Sequence, residues 1–104
     1  MRNQTFAADI MLLTLTSSAS AATIETLMNT ALAAKSMSMP ESNVIQIILH
    51  PPSANVTVKD IYTEDSFTFQ STDSPKIFAV EDVHQQFSLQ GVATILVEVY
   101  FGHK

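Results

Sequence analysis

Cysteine is absent from the 104-residue sequence, which removes disulfide frameworks, thiolate nucleophiles and cysteine-ligated zinc or iron–sulfur centres. Two glycines are too few for a phosphate-cradling glycine loop. Charge is also sparse: 14% of residues carry it, against roughly 25% in an average soluble domain, so part of the surface is expected to be buried against partners. Ten acidic residues against five basic ones leave a net charge of −5, which repels nucleic-acid phosphates and anionic lipid heads. Neither nucleic acid nor a membrane is therefore an expected partner. No apolar run approaches the roughly 18 residues that span a bilayer. Arg2, the apolar stretch 10–15 and Ala19-Ser20-Ala21 imitate a secretory signal, but the stretch is shorter than the usual ~7–15 residues and Asp9 adjoins it. The chain reads as soluble, and its length fits one domain with one core.

Hydrophobic residues are plentiful, at 46%, and their spacing sets the expected elements. Residues 1–9 are polar without a repeating apolar pattern and read as a flexible N-terminal arm that orders against a neighbour. Residues 10–16 read as a strand in which the adjacent Leu12 and Leu13 imply apolar contact on both faces. A small-residue connector over 17–22 leads to Thr23, a helix N-cap, with Glu25 in the first turn where a negative charge suits the helix dipole. Ile24, Leu27, Met28, Ala31 and Leu32 share one face of a helix over about 23–35, which Pro40 prevents from continuing. The aliphatic run 44–49 is expected to be a central strand buried on both sides, ended by Pro51-Pro52. Further strands are expected at 56–62, 66–71, 76–80, 86–89 and 93–101, with Glu64-Asp65 turning the chain between the first two of these five. The fold class expected is mainly β: an antiparallel β-sandwich or small barrel of six to seven strands with one short α-helix, as a single domain over 10–104.

Candidates for chemistry are few. His50, His84 and His103 are too widely spaced to suggest a shared metal, and each suits a surface or packing role. Asp60, Glu64, Asp65, Asp73, Glu81 and Asp82 crowd the middle of the chain, but their spacing is not that of an EF-hand loop, and solvated turns and strand edges account for them. An enzyme would need a cleft with acids of perturbed ionisation, drawn from Glu64, Asp65, Glu81 and Asp82. No G-x-S-x-G elbow supports a nucleophilic serine. Phe67, Phe69, Phe78, Phe87, Tyr100 and Phe101 are expected in the core, and only Lys59 and Lys76 lie near them for a base-stacking platform. Met28, Met37 and Met39 flank the helix end, where core packing is the simpler use of methionine and adaptable contact the other. No cofactor is expected. Candidate interaction residues are Met1, Arg2, Asn3, Gln4, Thr5 and Phe6 of the arm together with Met37 and Met39.

One ordered set of short motifs runs through residues 10–101. A Thr-rich strand precedes Ala22-Thr23-Ile24-Glu25-Thr26-Leu27-Met28, an aliphatic strand with a proline turn, and Val56-Thr57-Val58-Lys59-Asp60. Glu64-Asp65-Ser66-Phe67-Thr68-Phe69, Pro75-Lys76-Ile77-Phe78-Ala79-Val80 and a closing Val/Thr/Ile-rich strand follow. The order resembles small β-rich virion proteins of tailed bacteriophages, with the glycine-rich turn common there contracted to Ile61-Tyr62-Thr63. The resemblance implies a non-enzymatic structural protein of the virion, assembled in the host cytoplasm. A capsid decoration or cement subunit that bridges shell subunits comes first, and a neck or tail ring component second. It implies the major capsid protein or another virion protein as partner, and a homo-oligomer, dimer or trimer, through a strand edge or the closing strand. A small carbohydrate-binding module, with exposed aromatics and convergent polar groups, is the alternative outside virions.

Overall fold

The computed structural model describes residues 9–37, 44–78 and 83–101. Among the described residues there are eight strands: β1 (Asp9–Ser17), β2 (Ala22–Thr23), β3 (Val44–Leu49), β4 (Val56–Asp60), β5 (Ser66–Phe69), β6 (Lys76–Phe78), β7 (Phe87–Gln90) and β8 (Ala93–Phe101). A ten-residue helix, α1 (Ile24–Ala33), follows β2, and a four-residue helix, α2 (Val83–Gln86), precedes β7. The strands form two antiparallel four-stranded sheets, ordered β1-β8-β3-β6 and β2-β7-β4-β5. The result is a sandwich and not a closed barrel.

The pairing is nested, with β1 on β8, β2 on β7, β3 on β6 and β4 on β5. The chain is thus one long hairpin with its tip at the β4–β5 turn. Rolling that hairpin up adds the pairs β3–β8 and β4–β7. This is the connectivity of an eight-stranded jelly roll, in which every link but β4–β5 crosses from one sheet to the other.

Alternation explains the core. β1 turns Leu13, Leu15 and Ser17 inward opposite Val97, Ile95 and Ala93 of β8, and β3 adds Ile47 and Leu49. The second sheet meets them with Val56, Val58, Phe69 and Leu89, so the space between the sheets is filled by aliphatic groups and one buried ring. Helix α1 contributes Ile24, Leu27, Met28 and Leu32 to the same cluster. It starts where expected, at Thr23, whose hydroxyl accepts the Thr26 N–H at 3.1 Å. It ends at Ala33, two residues short of the expected 35, and Ser36 then adopts a left-handed conformation while the Met37 N–H reaches Leu32 O.

The structure departs from the sequence expectations in places. There are eight strands and not six or seven: the additional one, β2, is two residues long and lies at the end of the expected connector. Asp9, assigned to the arm, already pairs with Phe101 in β1. The third strand is central in its sheet but buried on one side only, since Ile47 and Leu49 are inside while Gln46 and Ile48 stay half-buried on the outside. Of the aromatics expected in the core, Phe69 is fully buried and Phe78 and Phe87 pack at 4.9 Å, partly covered. Phe67 is exposed at the margin under the Lys76 ammonium, and Tyr100 lies half-buried on an outer face. Phe101 is in β8, with its side chain outside the described part.

Candidate functional site

The outer faces of the two sheets differ in chemistry. On the β2-β7-β4-β5 sheet, Thr57 and Lys59 of β4 stand beside Gln90 and Ser88 of β7 and Thr68 and Ser66 of β5, a polar face on which all but the buried Ser88 are exposed. On the β1-β8-β3-β6 sheet, the register places Leu12, Glu98, Ile48 and Ile77 in one row across all four strands. A second row holds Ile10, Tyr100 and Gln46. On the other side of the first row, Thr14 faces Leu96, and the His50 N–H donates to Leu96 O at 2.9 Å. Ile10, Leu12, Leu96 and Ile77 are 56%, 57%, 42% and 63% exposed. Covering what remains open on each is worth about 1 kcal/mol.

The polar centre of this face is built by two strands. Glu98 of β8 accepts the Tyr100 hydroxyl on Oε1 at 2.7 Å, and its Oε2 pairs with His50 Nε2 just beyond the end of β3. Both carboxylate oxygens therefore have partners within the chain. The Tyr100 hydroxyl first, and His50 after it, hold the Glu98 carboxyl below its ordinary range. The same bond, with some desolvation, pushes the Tyr100 phenol upward. Glu98 is the single carboxylate among the described side chains of the face.

Other candidates are weaker. A shallow groove of about 250 Å³ beside this face, lined by Thr14, Thr16, Leu27, Thr30, Ala31, Ala34 and Lys35, contains hydroxyls and one ammonium but no acid–base pair. Glu64 and Asp65 form the exposed β4–β5 tip, where Glu64 has φ 66°, and Glu81 and Asp82 lie outside the described residues. Desolvation pushes the Asp60 pKa up, yet hydrogen bonds from Gln86, Thr63 and Tyr62 together bring it lower, and they commit that carboxylate to holding the turn. Among the described residues, no group of three or more His, Asp or Glu side chains could hold a metal ion.

The candidates from sequence fare unevenly. Met37 is half exposed just after α1, and Met28 is fully buried in the core. Met1, Arg2, Asn3, Gln4, Thr5, Phe6 and Met39 lie outside the described residues. His50, expected only in a surface or packing role, is part of a polar cluster on the open face; the side chain of His84, and His103, lie outside the described part. The cluster is invisible in sequence because His50 and Glu98 are brought together only by the β3–β8 register. The face itself had a signal. Leu12-Leu13 and Ile47-Ile48-Leu49 are patterns of strands covered on both sides, and this chain covers one. No protein-family model, curated protein or solved structure matches the chain.

Proposed function

We propose that the chain is a non-enzymatic structural subunit of a virion, acting as a capsid decoration or cement protein that stabilises the assembled head by bridging shell subunits. The observation that carries the reading is the open apolar face of the β1-β8-β3-β6 sheet, a surface that a domain working alone in water has reason to make polar. Two further features support it. The ordered short motifs resemble phage virion proteins, and the jelly-roll connectivity recurs in viral capsid proteins, though also in lectins and cupins, so the fold supports the reading by analogy alone. The mechanism is adhesion: contacts available only on the assembled shell lower the free energy of that state and not of its dissociated parts.

Fractionation of particles from the producing culture tests this directly. Heads, tails and soluble protein are separated on a density gradient, and the chain is located by mass spectrometry. Co-migration with heads is the expected result. Migration with tails replaces decoration by the neck or tail ring role, and recovery only with soluble protein, or binding to glycans without binding to particles, refutes the virion reading.

A further inference from the structure

Resting on the reading of the β1-β8-β3-β6 outer face as a docking surface, we infer that its occupant in the free protein is the same face of a second copy, related by a twofold axis. Charge is the first argument. The chain carries a net −5, and of its described acidic side chains Glu25 sits on α1, Asp60 at the end of β4, Glu64 and Asp65 in the turn after it and Asp73 in the β5–β6 link, all away from this face. Two copies can meet here without bringing those acids together, whereas approach through the β4–β5 end sets Glu64 and Asp65 against their equivalents. A foreign partner selected by charge would need a field to answer, and the described side chains of this face offer none beyond a carboxylate already bonded to Tyr100 and His50.

Polar satisfaction is the second argument. A carboxylate buried in an interface is costly when it lacks partners, and here both oxygens are hydrogen-bonded from within the chain, so closing the face leaves neither oxygen unpartnered on either copy. Size is the third. β1 and β8 are nine residues long, β3 six and β6 three. At about 3.3 Å per residue and 4.8 Å between strands they outline roughly 430 Å² per copy, close to 900 Å² for a pair before side-chain relief is added. That stands at the ~1,000 Å² lower bound of specific interfaces, which fits a reversible dimer and not an obligate one. Twofold pairing is also self-limiting. It uses the face on both copies at once and leaves none for a third, so the product is a closed dimer and not a filament.

Sedimentation velocity of the full chain from about 1 µM to about 1 mM, the range over which small interfaces associate, tests the inference. The expected result is a concentration-dependent shift from monomer to dimer, lost in Leu12→Glu and in Ile77→Lys, both at exposed positions, and retained in Thr57→Lys on the opposite sheet. Circular dichroism must show all three variants folded. A monomer throughout the range overturns the inference, as does a dimer that Thr57→Lys disrupts or that Leu12→Glu and Ile77→Lys leave intact. The same variants separate this inference from the virion reading. A monomer that still travels with heads refutes the pairing and spares the function, while a Leu12-dependent dimer found only with soluble protein does the reverse.

Discussion

Gly91 is the residue whose replacement gives the sharpest test of the architecture. It stands in the two-residue link between β7 and β8, where the chain leaves one sheet for the other. Three such corners meet there. The Gly91 N–H donates to Ser18 O at 2.7 Å in the β1–β2 link, the Gly91 carbonyl accepts the buried Ser17 hydroxyl, and a Cβ on Gly91 would lie 3.0 Å from Asn55 O and 3.3 Å from Val56 Cα at the start of β4. Its φ of +129° belongs to a region that L-residues rarely adopt. Gly91→Ala thus imposes backbone strain of about 1–3 kcal/mol, and the atoms it approaches are backbone at the entry to β4, where Val56 pairs with Phe69 of β5. Loss of freedom in the unfolded chain returns about 0.4–1 kcal/mol, so the net destabilisation is about 1–2 kcal/mol. For a domain of this size that lowers the melting temperature by roughly 5–15 °C. Calorimetry, with urea unfolding at unchanged m-value, measures it. An alanine variant as stable as the parent would mean that the three corners do not converge on this residue.

Other outcomes follow from the same geometry. Thr23→Ala removes the side-chain acceptor for the Thr26 N–H and should cost about 1 kcal/mol, read as a lower urea midpoint; Thr23→Asp, which keeps an acceptor, should recover most of it. Ile47→Asp places an unpaired carboxylate at a position with no solvent exposure and should prevent folding, so a soluble variant with the parent's circular dichroism would contradict the core assignment. Stability should also depend on pH through the Glu98–Tyr100 bond. Glu98 is held below its ordinary value of 4.5, so its contribution is present above that pH and is lost as pH falls through the lower folded value. Tyr100 is held above 10.0, so its contribution is complete below that pH and is lost as pH rises through the higher folded value. Tyr100→Phe should flatten both limbs of the urea-midpoint profile, and identical profiles for parent and variant would refute the coupling.

Much of the fold is legible in local pattern. α1 could be placed because a capping hydroxyl, an acid in the first turn and five residues on one face all agree, and the buried side chains are those the spacing selects. β8 has the expected bounds because nine residues alternate without interruption. β2 escaped notice because two residues carry no periodicity; it is a strand only because Ala22 and Thr23 pair with Leu89 and Ser88. The candidate site divides in the same way. The doubled leucines of β1 and the aliphatic run of β3 indicate contact on a second face, but the choice of outward residues follows from the register.

The sequence by itself determined what the protein can be made of: one core, sheets with a single substantial helix, and a surface short of charge, without thiols or glycine loops for chemistry. These are properties of composition and short-range spacing, which need no knowledge of what lies opposite. Tertiary structure decided the rest. Only the rolled pairing of eight strands gathers Ile10, Leu12, Ile77 and Leu96 into one open face and sets His50 against Glu98, because contacts between distant segments depend on strand order and register, and neither is written in any local stretch of the chain.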